Sequence, residues 1–219
     1  MGEFTVNELV REWIGGWIVS RGAADPVDEP WGWTIDVGQA KQVARHVLPA
    51  PTEPEVRKLV AATTAPGTWL KLFADDETVR PWLGPGWQFD VPGYLMTVPL
   101  AAERPTVPAG YTLTSWERGG VVRVLVRTED GHFAARGQLG LAGASAVADQ
   151  IETAPEHRRR GLGSVVMRAL QDAGHRGGAT TGILVATPEG RALYTALGWT
   201  VRAAMASLYY APQPGESER

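Results

Sequence analysis

The sequence contains no cysteine, so the chain can form neither a disulfide bond nor a thiolate metal site. Its histidines, His46, His132, His157 and His175, are scattered and lack the spacing of metal ligands. No apolar run is long enough to span a membrane, and the N-terminus has no signal-peptide pattern. The formal net charge of -3 gives no basic field that would hold nucleic acid. We therefore expect a cytoplasmic protein without a metal site, acting on neither nucleic acid nor membranes.

The composition is that of an ordinary globular protein, with 219 residues, 44% hydrophobic and 21% charged. Helical and strand patterns are interspersed along the chain, which predicts a mixed α/β fold. The segment AAERPTVPAG, residues 101–110, has the composition of a linker. It divides residues 1–104 from residues 105–211, and we expect the tail, residues 212–219, to be disordered.

The two halves resemble each other in their order of elements. Residues 54–98 predict a helix, the strand WLKLF, a short helix ending at WLGPGW and the strand YLMT. Residues 161–210 predict a helix, the strand GILVA, a short helix ending at ALGW and a final hairpin formed by WTVRA and ASLYY. This order favours a duplicated unit over a chance likeness, with a degenerate first copy that has TEPEV where the second has RRRGLG.

The motif RRRGLG, residues 158–163, lies between a predicted strand and a predicted helix. Free N–H groups and the helix dipole attract phosphate at such a place, and glycines let the backbone approach it. A Walker loop is excluded because Ser164 follows Gly163 directly, without the required lysine. A dinucleotide-binding oxidoreductase is disfavoured because Val166 stands where a third glycine is needed. The pattern Arg/Gln-x-x-Gly-x-Gly/Ala fits, which favours a diphosphate site.

Together with LVATPEGRALYTALGW, residues 184–199, this motif makes residues 105–211 resemble the GNAT family of N-acetyltransferases. The resemblance implies the mixed-sheet GNAT fold and acetyl-CoA as co-substrate. It also implies that the pyrophosphate binds at the turn and that the pantetheine arm runs along the fourth strand of that half. The implied cofactor-binding residues are Ile151, Thr153, Arg158, Arg159, Arg160, Gly161, Leu162, Gly163, Ser164 and Thr187.

The resemblance also implies the catalytic roles, in a direct attack of the amine through a tetrahedral intermediate. Tyr194 matches the tyrosine that serves as general acid, and the backbone N–H near Ile151 could stabilise the developing oxyanion. Strand alternation places Asp149 on the face of Ile151, so Asp149 is the candidate base. Glu152, expected on the other face, is the second choice, and water the third. Asp149 is an equally good structural partner for a nearby arginine.

One departure from the family leaves the acceptor open. Two helices usually lie between the first two strands, whereas here only SWERGG, residues 115–120, intervenes. We therefore expect the N-terminal half to wall the acceptor site. The expected function is transfer of acetyl from acetyl-CoA to an amine of a small molecule or peptide, with homodimerisation left open. The alternative is a non-catalytic CoA-binding or sensing module.

Overall fold

The structure is a computed structural model that describes residues 4–212, and in this range five α-helices and twelve β-strands follow one another. The helices are α1 (Val6–Arg21), α2 (Glu53–Ala62), α3 (Asp76–Val79), α4 (Leu162–Arg176) and α5 (Pro188–Ala196). The strands of the N-terminal half are β1 (Val27–Glu29), β2 (Gly32–Gln39), β3 (Gln42–Leu48), β4 (Thr68–Leu72), β5 (Trp87–Phe89) and β6 (Gly93–Pro99). Those of the C-terminal half are β7 (Tyr111–Arg118), β8 (Val121–Thr128), β9 (Phe133–Ala142), β10 (Ser145–Thr153), β11 (Thr181–Ala186) and β12 (Thr200–Tyr210). The predicted mixed α/β fold is confirmed.

The strands form one sheet in the order β1-β2-β3-β4-β12-β6-β11-β10-β9-β8-β7, with β5 paired to β12. Two neighbouring pairs are parallel, β3 with β4 and β10 with β11, and the other pairs are antiparallel. A parallel pair needs a crossover connection, and α2 and α4 supply it in the two halves. Strands of the two halves alternate at the centre of the sheet, because β4 pairs with β12 and β11 pairs with β6.

The prediction of a final hairpin is wrong, because a single strand ends the described chain. β12 is continuous over 11 residues, with a register shift between Val201 and Ala203. Its first part pairs with β6 and its last part with β4. No Gly, Pro, Asn or Asp interrupts residues 200–210, so nothing in the sequence turns the chain there.

Helix α1 begins with a reciprocal capping box. Thr5 Oγ1 accepts a hydrogen bond from the Glu8 N–H at 3.3 Å, and Glu8 Oε2 accepts from the Thr5 N–H at 2.8 Å. The helix ends at Gly22, which has a left-handed φ of 62°. Its apolar face is buried against the sheet and comprises Leu9, Val10, Trp13, Ile14 and Trp17.

The sheet is covered on both faces. Helix α4 and the adjoining side of α5 pack on the face that carries Val124, Leu139 and Leu184. Helix α1 packs on the opposite face, against a cluster that includes Val147 and Ile183. Among residues 4–212 no helix has the length and apolar character needed to cross a membrane. The tail beyond residue 212 lies outside the described residues, so its expected disorder stays a prediction.

Helix α1 approaches the backbone of β9 unusually closely, through glycine on each side. A Cβ atom on Gly16 would lie 2.3 Å from Val147 Cγ2, and one on Gly140 would lie 2.0 Å from the Gly16 carbonyl oxygen. Neither residue can carry a side chain without moving the helix away from the sheet.

We expect Gly16→Ala to lower the free energy of unfolding by about 1–3 kcal/mol, because the methyl group overpacks this contact. Gly15→Ala is the matched control, since its Cβ would lie 3.4 Å from Ala142 Cβ, an ordinary contact. The control should be neutral or stabilising by up to about 1 kcal/mol through helix propensity. Urea unfolding of both variants measures the difference, and equal effects would contradict the close approach.

Candidate active site

The candidate site lies where two parallel strands separate. β10 and β11 pair only through Ser145–Thr181, Ala146–Gly182 and Val147–Ile183. Beyond these pairs β10 continues along β9 to Thr153, while β11 continues along β6 to Ala186. The two strands therefore diverge, and a gap opens in the sheet from Ala148 onwards.

A β-bulge in β10 accompanies this separation. Gln150 has a φ of 52°, and the ladder with β9 passes from Asp149–Gln138 directly to Glu152–Arg136. Two residues of β10, Gln150 and Ile151, thus face a single residue of β9. The bulge changes which side chains share a face of the strand.

The prediction that Asp149 and Ile151 lie on one face is wrong. Asp149 is bonded to α1, whereas Ile151 packs with Val166 and Leu170 of α4 over Gly137. The extra residue of the bulge breaks the alternation on which the prediction rested.

The expectation that Glu152 faces away from Asp149 is wrong for the same reason. Glu152 pairs with Arg136, which lies two residues before Gln138 on β9, and Gln138 bonds to Ser20 of α1. Residues two apart on a strand share a face, so Glu152 and Asp149 both lie on the α1 side.

A cleft of 690 Å³ occupies the gap and the space between α4 and α5. It brings together most of the residues singled out in the sequence; Arg160 is the exception and does not line it. The predicted site residues that line it are Asp149, Ile151, Thr153, Arg158, Arg159, Gly161, Leu162, Gly163, Ser164, Thr187 and Tyr194.

The turn before α4 presents free backbone donors to this cleft. Arg159 and Gly161 have left-handed φ values of 61° and 79°, and the helix begins at Leu162. Within residues 4–212 no oxygen accepts a hydrogen bond from the six consecutive N–H groups of residues 159–164. Together with the positive end of the helix dipole, they form a site for an anion such as a phosphate.

The three arginines of the turn have different surroundings. Arg158 lies 3.9 Å from the exposed Glu189 carboxylate and donates from Nε to the Thr153 carbonyl at 3.4 Å. Arg160 donates to the Tyr111 hydroxyl at 3.1 Å, and that hydroxyl also contacts His157 Nδ1 at 3.1 Å. Arg160 therefore ties the turn to β7, whereas Arg158 and Arg159 lie at the cleft.

Tyr194 of α5 lies inside the cleft and is 8% exposed. Burial, and secondarily the negative charge of Asp149, raises the pKa of Tyr194 to about 12. The phenol is therefore protonated at neutral pH and can act as a proton donor. Thr187 at the start of α5 accepts a hydrogen bond from the Gly190 N–H at 3.1 Å, so its hydroxyl caps the helix beside the cleft.

Asp149 is held by the end of α1. Arg21 Nε donates to Asp149 Oδ2 at 2.5 Å and Arg21 Nη2 donates to Oδ1 at 2.9 Å, in a bidentate pair. Ser20 Oγ donates to Oδ2 at 2.9 Å, and Gln138 Nε2 donates to Ser20 Oγ at 2.7 Å. The sequence allowed Asp149 to be a structural partner of a nearby arginine, and Arg21 is that arginine. Sequence reasoning missed Ser20, Arg21 and Gln138, because no local pattern connects residues more than 100 positions apart.

A second cavity, of 440 Å³, lies next to the cleft, with the β7–β8–β9 side of the sheet as its floor. It shares Gln150 and Glu152 with the cleft, so the two cavities adjoin at the bulge. Its lining is Trp116, Arg123, Val124, Leu125, Phe133, Arg136, Gly137, Gln138, Gln150 and Glu152. In the part of the chain that the structure describes, no group of three His, Asp or Glu side chains could hold a metal ion.

Comparison with known proteins supports the family resemblance. A family model for FR47-like proteins matches residues 146–208, which include both the glycine turn and the end of α5. A GCN5-related N-acetyltransferase from Kribbella flavida superposes with a TM-score of 0.70, at 18% identity over 99% of both chains. The chain has the GNAT fold. The resemblance predicted from the sequence is therefore confirmed.

Two further solved structures share this fold. A putative GNAT-family acetyltransferase from Novosphingobium aromaticivorans has a TM-score of 0.59 at 17% identity, over 96% of this chain and 100% of its own. A tandem GNAT protein from the clavulanic acid biosynthesis pathway has a TM-score of 0.53 at 15% identity, over 73% of this chain and 68% of its own. No curated protein sequence matches the chain significantly.

We expect a double-mutant cycle with Arg21→Gln and Asp149→Asn to give a coupling energy of about 1–2 kcal/mol, because the pair is bidentate and the Asp149 side chain is only 13% exposed. Arg57→Gln with Glu53→Gln is the matched control, since that pair is exposed and lies within one helix. Its coupling should be about 0.3–0.5 kcal/mol. Denaturant unfolding measures both cycles, and equal couplings would contradict a special role for Arg21.

Proposed function

We propose that this protein transfers an acetyl group from acetyl-CoA to the amine of a small molecule or peptide. The observation that carries the proposal is the row of six free N–H groups at a strand gap that also contains a buried, protonated tyrosine. The row would hold the pyrophosphate and the gap would take the pantetheine arm. When bound, acetyl-CoA supplies the activated thioester.

The residues present fit this ligand. Arg158 and Arg159 provide positive charge beside the N–H row, where a diphosphate needs it. A Cβ atom on Gly161 would have no protein atom within 4 Å, so the backbone there is open to a ligand. Ile151 and Thr153 line the gap along the diverging edge of β10, where an extended amide-bearing arm could pair with the strand.

Within the gap the chain would act in three ways. The backbone N–H at the bulge near Ile151 would stabilise negative charge on the thioester oxygen. Tyr194 would give its proton to the departing thiolate, for which a pKa of about 12 keeps it in the acid form. A carboxylate on the α1 side of β10 would accept the proton of the attacking amine through water.

Asp149 and Glu152 are both candidates for that base. Both oxygens of Asp149 accept hydrogen bonds from Arg21 or Ser20, whereas Glu152 is about half exposed and pairs with Arg136 through Oε2. Glu152 lines both cavities, where an amine would approach the thioester. We therefore propose that Asp149 is the base only when Arg21 releases it, and that Glu152 is the more accessible base.

We propose that the N-terminal half, residues 1–104, is a degenerate copy of the catalytic half, residues 105–211, and walls the acceptor site. Support comes from the two parallel strand pairs, each with its own crossover helix, and from the reciprocal pairing at the centre of the sheet. Further support comes from α1, which packs on the sheet and ends at Asp149.

A second candidate function is a CoA-binding or sensing module without catalysis. The occupied oxygens of Asp149 favour it, because a carboxylate held by arginine is a weaker base. Both candidates require CoA binding, and only the first requires thiol release in the presence of an amine.

The decisive experiment is thermal unfolding of the protein with and without acetyl-CoA, with NADH as control. Ligand at about a hundred times its dissociation constant should raise the midpoint by roughly 5–10 °C. A shift with acetyl-CoA alone supports the proposal, and thiol release with a panel of amines then separates the two candidates. The absence of a shift, or a shift with NADH, would overturn both.

We expect Gly161→Glu to abolish acetyl-CoA binding, because a carboxylate at the N–H row would repel the diphosphate. Gly178→Glu is the matched control, since Gly178 follows α4 and has a φ of 87°, and a Cβ atom there would also have no protein atom within 4 Å. Both variants carry a similar backbone strain, so only the site differs. Calorimetric titration measures the affinity, and unchanged binding by the Gly161 variant would refute the phosphate site.

We expect Tyr194→Phe to lower kcat by roughly 10²–10⁴-fold while acetyl-CoA affinity changes little, because only the proton donor is lost. Because its pKa is about 12, Tyr194 keeps its proton at lower pH, so ionisation of Tyr194 should cause no loss of activity there. The pH profiles of the variant and the wild type should therefore have the same shape below that value. Full activity in the variant would remove the general-acid role.

A further inference from the structure

The cavity beside the cleft is floored by a row of cross-strand neighbours. Asp149 is paired with Gln138, Gln138 with Arg123 and Arg123 with Trp116, across β10, β9, β8 and β7. Directly paired residues point to the same face of a sheet, so this row lies on the α1 side. It leads from the strand gap to the outermost strand.

Among residues 4–212, Arg123 is the cation of this cavity without a partner. Arg136 is neutralised by Glu152, with Nε and Oε2 2.8 Å apart. Within residues 4–212 no acidic side chain or carbonyl pairs with the guanidinium of Arg123, which is only partly exposed. The charged lining residues are thus two arginines and one glutamate, which leaves one positive charge uncompensated.

Aromatic surface lies beside this charge. Trp116 is 46% exposed and Phe133 is 39% exposed, and both line the same cavity. An apolar group that covered these rings would be removed from water together with them, which is favourable. The cavity thus combines an anion-binding group with an apolar wall.

The position of this cavity relative to the strand gap limits the size of the ligand. Gln150 and Glu152 line both cavities, so an amine at the bulge reaches the cleft. β8 is two strands away from β10, a distance of about 10 Å between backbones. A ligand that meets both the gap and Arg123 therefore has its amine and its anion within about 10 Å of each other.

We propose that the acceptor is an amino acid with an apolar or aromatic side chain, and that Arg123 binds its carboxylate. This inference rests on the proposed acetyl transfer and names its substrate class. A monoanion matches the single unpaired charge, and guanidinium pairs with carboxylate in a bidentate geometry. A polyamine would bring more positive charge to a cavity that already has an excess of it.

The test compares matched amines with the full-length protein and acetyl-CoA. L-Phenylalanine is compared with L-phenylalaninamide and L-leucine with L-leucinamide, and thiol release gives kcat/KM. We expect the carboxylates to be better acceptors by roughly 10- to 100-fold, the value of a hydrogen-bonded charge pair. Arg123→Gln should remove this preference while the acetyl-CoA dissociation constant stays within about twofold. Arg127→Gln is the control, since Arg127 lies exposed on the same strand outside the cavity.

The outcomes separate this inference from the proposed function. If acetyl-CoA does not bind, the acetyl-transfer proposal fails. If it binds but the amides react as well as the acids, or no amino acid reacts, the assignment of Arg123 is overturned. The comparison of acids with amides uses the wild-type protein, so it decides the matter even if the Arg123 variant does not fold.

Discussion

The site depends on one backbone irregularity, the bulge at Gln150 in β10. A left-handed φ on a residue other than glycine costs free energy of about 1–2 kcal/mol, so the surrounding structure must hold it in place. The bulge turns Asp149 towards α1 and Ile151 towards α4, and it lies where β10 leaves β11. It is also the place where the two cavities adjoin, since Gln150 lines both. In a regular strand Asp149 and Ile151 would lie on one face of the sheet.

Helix α1 covers the side of the sheet on which Asp149 lies. Glycine on both sides lets it lie directly on β9, and its last residue reaches Asp149. Trp17 of the same helix packs under the buried Arg45, with Cζ 3.9 Å from the ring centroid, which fixes the helix to β3 as well. The short connection between β7 and β8 leaves room for it, because no helix is inserted there.

Much of the fold could be predicted, because each signal was local. Neighbouring residues are enough to predict the helical period of α1, the turn at residues 158–163 and the strand–helix order of the C-terminal half. The bulge could not be predicted, since Gln150 carries none of the glycine signals that mark a left-handed φ. The faces of Asp149 and Glu152 were therefore assigned wrongly. The pair of Arg21 with Asp149 and the surroundings of Arg123 depend on strand register across the whole sheet, which no local pattern encodes.

The two parallel strand pairs show why the chain has its candidate site in one half. β3 and β4 stay paired over five successive residues, from Ala44–Thr68 to Leu48–Leu72, whereas β10 and β11 separate after three. The helix after β3 begins with Glu53 and Glu55 in its first turn, and these carboxylates already face the positive end of its dipole. The helix after β10 is instead preceded by the arginines of residues 158–160 and by the left-handed Gly161. Among residues 4–212 the strands of the first pair thus stay closed over their paired length, and the carboxylates at the start of its helix disfavour an anion there.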